Sequence, residues 1–287
     1  MNVCIIGKNS YIGSHIASWL LRYGYQVFQL DVLSECWQSF DYSSYDVIIH
    51  VAGIVHRPDC QDEELYRKVN TDMPILIAKR YKESRKSVST FVYLSSMAVY
   101  GTSKRLVKNL ITEETMTTPT GLYGKSKLAA ENGLLPLQSE NFNVVVVRPP
   151  NVYGKNCKGG YISGFTSVIK TFPIIPLAYT NVKQSIIYID NLCEFIHLII
   201  EQKRKGVFMP QDEYPVSAVD ICTMIAHGLG KKIYKSFILG LIVRLLNFIP
   251  LFKKSYGGIE YDIRLSHIEG MNYAIVPSEE AIIRTIK

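Results

Sequence analysis

The chain has no two cysteines close enough to act together. Cys4, Cys36, Cys60, Cys157, Cys193 and Cys222 are widely separated and form no CxxC pair. The spacing of a zinc site or a disulfide framework is therefore missing, so no metal is expected and a reducing cytoplasm is the expected setting. No signal peptide is expected ahead of the first apolar run, which starts almost at residue 2. Long apolar runs are scarce as well. The most membrane-like stretch, SFILGLIVRLLNFIPLF (236–252), is short for a span and carries Arg244. No integral membrane segment is expected there. An amphipathic or buried helix is, with contact to a membrane surface as the alternative. Internal repeats and low-complexity segments are absent. Acidic residues fall short of basic ones, 25 against 32, for a net charge of +7. The basic residues are spread along the chain, with short clusters only at 202–205 and 231–235. Of the two readings, a nucleic-acid surface and a solvated face that attracts an anionic small molecule, the second is expected.

What is present is core. The 287 residues are 47% hydrophobic and 20% charged, enough for one large globular domain or two closely joined ones. Short apolar runs at 2–6, 26–30, 46–51, 90–94 and 143–147 read as strands buried on both faces. Helical spacing at 11–24, 71–84 and 121–135 separates them. Repeated strand–helix–strand order predicts an α/β fold, a Rossmann-type doubly wound parallel sheet with right-handed crossovers. Ligands of such sheets bind at the carboxyl ends of the strands. After Pro150 the elements become irregular. A strand at 184–189 precedes a helix from about Asp190, and Ser217 with Asp220 approaches a capping box. The expected division is a dinucleotide-binding domain over 1–150 plus about 186–204, and a smaller α+β substrate lobe over 151–185 and 205–287.

IIGKNSYIG joins the first strand to the first helix. Gly7 allows the tight turn and Gly13 close helix–strand packing. The amides at the helix start, around Ser10, Tyr11 and Ile12, then face a pyrophosphate. The usual pattern is GxxGxxG, and Ser10 stands at its middle position. Its Cβ requires a more open turn, or its hydroxyl donates a hydrogen bond. Asp31 ends the second strand, where a carboxylate accepts from the adenosine ribose hydroxyls. It would repel a 2′-phosphate, so NAD is expected ahead of NADP.

YGKSK places Tyr123 and Lys127 on one helix face. A free tyrosine has a pKa near 10, too high for a base at neutral pH. A nearby ammonium and a nicotinamide cation are expected to lower it. Lys127 can also hold the nicotinamide ribose, and Ser96 can hydrogen-bond the reacting sugar oxygen beside Tyr123. Together they would move the proton while NAD(H) moves the hydride. His50, inside a strand, is expected to be a packed core histidine.

With GKNSYIG, Asp31, HVAGIVH (50–56), VNT (69–71), SSMAVYG (95–101), YGKSK, RPPNVYG (148–154), VKQSIIYID (182–190) and YGGIEYD (256–262), the chain resembles the extended short-chain dehydrogenase/reductases. Within them it is similar to the NAD-dependent epimerase/dehydratase family acting on nucleotide sugars. The resemblance implies that Ala52, Gly53 and Pro149 line the cofactor and that Asn70 supports its site. It implies that Asn151 hydrogen-bonds the nucleotide diphosphate of a UDP-sugar. Lys183 stands where the family often has an arginine for that diphosphate, and a lysine lacks the planar fork. His56 would lie near the sugar. The family's 4,6-dehydratases carry an Asp-Glu pair after the hydroxyl residue, and here Met97 and Ala98 follow Ser96. Elimination is therefore not expected, which leaves hydride transfer at C4. The tail and HVAGIVH are similar to quinovosamine-type 4-ketoreductases, and Asp31 with the Ser–Tyr–Lys set is equally similar to UDP-sugar 4-epimerases. The reductase is the reading adopted, narrowly. A non-catalytic dinucleotide-binding sensor is the rival from another class, against which the intact Tyr123/Lys127 pair counts. A homodimer is the assembly the family implies.

Overall fold

The structure, a computed structural model, describes residues 1–33, 36–55, 62–84, 87–101, 106–157 and 161–287. His56 and Cys60 lie outside the described residues. The chain divides into two compact units, Met1–Gly101 with Met116–Pro149 and Cys193–Met209, and Thr102–Thr115 with Pro150–Leu192 and Pro210–Lys287.

The first unit is built on one six-stranded sheet. Its strands are β1 (Asn2–Ile6), β2 (Gln26–Leu30), β3 (Val47–His50), β4 (Ser89–Leu94), β5 (Phe142–Val147) and β6 (Gly206–Phe208), in the order β6-β5-β4-β3-β1-β2. All pairs are parallel. The inner strands β3, β4 and β5 are buried at every residue, whereas β2, at an edge, alternates. This is the burial that crossover helices on both faces impose. Cys4, Ile6, Ile48, Phe91, Tyr93, Phe142, Val144 and Val146 form one face of the sheet. They pack on Ile77, Ala78 and Tyr81 of α2 (Met73–Ser84) and on Ala130 and Leu134 of α3 (Leu122–Leu134). α1 (Tyr11–Arg22) is tied to α4 (Ile189–Glu201), because Trp19 Nε1 and Tyr23 hydroxyl both donate to Glu194 Oε2, at 2.9 and 3.0 Å. The register aligns Ile6 with Leu30 and His50, His50 with Tyr93, and Leu94 with Val147. The residues that follow these strands therefore share one sheet edge.

Among its described residues the second unit holds three parallel two-stranded pairs. These are Asn151–Tyr153 with Ile186–Tyr188, Ile174–Pro176 with Tyr234–Ser236, and Leu110–Ile111 with Glu260–Tyr261. α5 (Ala218–Gly228) carries the Ser217/Asp220 capping box. A buried carboxylate organises the interior. Asp212 accepts from Tyr153 hydroxyl at 2.7 Å, Asn191 Nδ2 at 2.8 Å and Tyr188 N at 3.0 Å. Burial pushes its pKa up to about 6 despite those donors.

The units follow hydrogen bonding where the sequence followed composition. Gly206–Phe208, expected in the smaller lobe, pairs with β5 in the main sheet. Ile186–Tyr188, expected with the main sheet, pairs with Asn151–Tyr153 in the second unit. A strand of three residues carries too few side chains for its apolar pattern to say which sheet it joins.

Candidate active site

The strand order reverses between β1 and β3, so the turns after these two strands bound the crevice of a doubly wound sheet. They touch closely. Gly7 has φ +121°, and a Cβ there would lie 2.9 Å from Ala52 N and 2.8 Å from Val51 Cγ2. Gly13 is as confined, its Cβ position falling 2.5 Å from Ser10 Oγ.

Of the two courses expected for Ser10, the structure shows the donated hydrogen bond, and it is made within the turn. The hydroxyl donates to Gly7 O at 2.7 Å and accepts from Gly13 N at 3.1 Å, which makes Ser10 the N-cap of α1. It thus spans the turn from inside. Ile12, second in the helix, is among the first residues, whose amides a helix start leaves without an intrahelical partner. Tyr11 begins that first turn. Asp31 directly follows β2, and its Oδ1 accepts from Leu33 N at 3.0 Å. The glycine cradle, the helix start and the carboxylate after β2 fit a dinucleotide, whose chemistry is hydride transfer.

The second cluster rests on α3. Tyr123, Lys127 and Glu131 are spaced i, i+4, i+8 and form one stripe. A Cβ on Gly124 would lie 2.4 Å from Ala98 O, so the first turn of α3 lies directly against the 3₁₀ helix Met97–Tyr100 that follows β4. That close approach brings Tyr123 to Ser96. Ser96 caps the 3₁₀ helix, accepting from Ala98 N at 3.1 Å, and its hydroxyl is near enough to the Tyr123 phenol to act on its pKa. Lys127 is 3% exposed. Its Nζ donates to Leu94 O at 2.7 Å and lies 5.9 Å from the Tyr123 ring. Gly53 leaves the space beside that ammonium, its Cβ position being 3.4 Å from Lys127 Nζ.

The electrostatics depart from expectation. Burial raises the Tyr123 pKa above its ordinary value, and the nearby Ser96 hydroxyl pulls it back only in part. Lys127 does not lower it, because burial depresses its own pKa to about 7 and Glu131 opposes this only partly. Without a nicotinamide cation Tyr123 is a phenol.

Asn70 fastens the cluster from behind. Its Oδ1 accepts from Ile54 N at 2.8 Å, and its Nδ2 donates to Ile54 O at 2.9 Å and Ser126 Oγ at 3.1 Å. It lies in a π-helical turn, Arg67–Asp72, a distortion common at functional sites. Ala52 is buried and its N donates to Ile6 O at 2.9 Å, while Pro149 O accepts from Met97 N at 3.0 Å. In the second unit, exposed Asn151 donates through Nδ2 to Gln184 Oε1 at 3.3 Å, which places it beside the segment carrying half-buried Lys183.

One buried network is not foreseen from the sequence. Ser95 is not a second site hydroxyl, since it donates to Glu131 Oε1 inside the core. Glu131 also accepts from Arg148 Nη2 at 2.6 Å and Nε at 3.1 Å, and Arg148 Nη1 donates to Tyr100 hydroxyl at 2.7 Å. The i+4 spacing from Lys127 is the one signal of it in the sequence.

His50 is fully buried, and neither ring nitrogen has a hydrogen-bond partner among the described residues. Burial, then Lys127, depresses its pKa to about 3. The unfolded chain binds a proton the folded one refuses, so stability falls as the pH drops through 6.5 towards 3. By about pH 4.5 the loss is about 2.3 kcal/mol relative to pH 6.5. Urea midpoints should show that difference in the native chain, and His50→Leu should flatten it without weakening the fold at pH 7.5.

Residues 3–209 match the family model for the NAD dependent epimerase/dehydratase family. The UDP-glucose 4-epimerase of Vibrio cholerae is 31% identical over 195 residues, covering 66% of this chain and 58% of its own length. The GDP-6-deoxy-D-mannose reductase of Pseudomonas aeruginosa is 28% identical over 173 residues, covering 55% of this chain and 54% of its own length. The chain thus spans a little over half the length of these curated relatives. Among solved structures, UDP-glucuronic acid 4-epimerase from Bacillus cereus in complex with NAD superposes with a TM-score of 0.72 at 18% identity, over 100% of this chain and 95% of that one.

Proposed function

We propose that this chain, which belongs to the NAD dependent epimerase/dehydratase family, reduces the C4 ketone of a UDP-sugar with NADH. The observation that carries this reading is the Ser96–Tyr123–Lys127 set with Met97 and Ala98, not carboxylates, after Ser96. The dinucleotide, when bound, supplies a hydride to C4. Ser96 and the Tyr123 hydroxyl hold O4, and the phenol proton passes to it, leaving an alcohol and a phenolate that solvent reprotonates. Lys127 fixes the ribose side of the site. A phenol held above its ordinary pKa is protonated at neutral pH, the state from which it can give a proton to O4. Removal of a C5 proton or departure of a C6 hydroxyl would need an acid–base pair that Met97 and Ala98 do not provide.

Asn151 and Lys183 would take the diphosphate in this reading. Asp31 would take the adenosine ribose, so NADH should bind at least tenfold tighter than NADPH, about 1.4 kcal/mol. Asp31→Ser should narrow that ratio to near unity in a fluorescence titration. Equal affinities in the unaltered chain would remove Asp31 from the ribose.

A second reading, C4 epimerisation with retained NAD, is favoured by the similarity to the Vibrio cholerae epimerase. Two incubations separate them. A UDP-4-keto-6-deoxy sugar with NADH should give stoichiometric NADH oxidation. UDP-glucose or UDP-N-acetylglucosamine without reductant should give no product. Interconversion of C4 isomers in the second, with no oxidation in the first, would establish the epimerase. A 4,6-dehydrated product would overturn both.

A further inference from the structure

The helix α6 (Phe237–Leu245) is inverted for a helix of a globular unit. Its inward residues are small. A Cβ on Gly240 would lie 2.2 Å from Leu177 O, and Val243 packs with Ala178, Ala218 and Tyr256. Its large apolar residues face outward, from 38% exposure at Leu239 to 72% at Ile238, with Phe237, Leu241 and Leu245 at 50% or more. The turn to α7 (Pro250–Tyr256) adds Phe248, and the start of α7 adds Leu251, each 66% exposed. A contiguous run of this kind marks an interaction surface.

Charge identifies what covers it. Between Asp220 and Glu260 the sequence holds no carboxylate and six Lys or Arg residues. They are Lys231, Lys232, Lys235, Arg244, Lys253 and Lys254, all exposed. This segment supplies six of the chain's seven net positive charges, the whole chain being +7. A second copy docked face to face would set these cations against themselves, whereas an anionic surface neutralises them. Basic flanks around a large apolar face are the arrangement of a helix lying in a bilayer interface. Among the described residues no helix is long and apolar enough to cross a membrane.

We infer that α6 and α7 dock this protein on an anionic phospholipid surface, with the apolar residues among the acyl chains and the lysines at the headgroups. The inference is independent of the reaction at Tyr123. It is tested by sedimenting the full chain with vesicles of phosphatidylcholine alone and of phosphatidylcholine mixed with phosphatidylglycerol. Binding to the mixed vesicles should exceed binding to the neutral ones about tenfold or more. It should collapse at about 1 M salt, where charges are screened beyond about 3 Å. Lys253→Glu with Lys254→Glu should weaken it about tenfold or more, and Leu241→Ser with Leu245→Ser and Phe248→Ser should abolish it. Because these side chains are exposed, both variants should keep the native thermal midpoint and NADH affinity. Equal binding to neutral and anionic vesicles, or none to either, overturns the inference. So does a dimer in sedimentation velocity that the serine variant dissociates while vesicles bind nothing.

Discussion

Tyr123→Phe is expected to lower kcat about 10²–10⁴-fold, the range a positioned proton donor contributes, while leaving NADH affinity within twofold. The ring survives, so the packing of α3 against the 3₁₀ helix at Gly124 is untouched. Only the hydroxyl is lost, and with it the proton for O4. The pH dependence follows from the same site. Burial keeps the phenol protonated through neutral pH, so a reductase using it as donor should hold its rate there. Lys127, with a pKa of about 7, loses its charge as the pH rises past neutrality, and turnover should fall on that alkaline side. Steady-state rates between about pH 6 and pH 9 measure both statements. Undiminished turnover in Tyr123→Phe would remove the phenol from the chemistry and return the protein to the sensor reading.

Features written in local spacing are legible in the sequence. Buried apolar runs mark β1 to β5, and the i, i+4 pair puts Tyr123 and Lys127 on one helix face. A histidine inside an apolar run reads as core, and His50, the last residue of β3, is fully buried. Features that arise from tertiary approach are not legible. Nothing near Gly124 in sequence announces that Ala98 O lies against it, and the π-helical turn that aims Asn70 inward looks like ordinary helix. The direction of the Tyr123 pKa escapes the sequence for the same reason. Spacing says which charge is near, but only burial says whether that charge persists. Lys127 is the near charge, and the core holds it half neutral.

Arg148→Met is expected to destabilise the protein by about 3–5 kcal/mol near neutral pH, the cost of leaving a buried carboxylate without its cation. Glu131 would keep only the Ser95 hydroxyl. Urea midpoints at pH 7.5 measure the loss. Adding Glu131→Met should recover most of the loss, since the buried charge goes with its partner. Turnover should not recover with stability. Glu131 is the charge that raises the Lys127 pKa against burial, and without it the lysine is neutral at a still lower pH. The double variant should therefore fold like the native chain and show its alkaline loss of turnover displaced to lower pH. A double variant with native stability and a native pH profile would show that Glu131 and Arg148 serve the core and not the lysine.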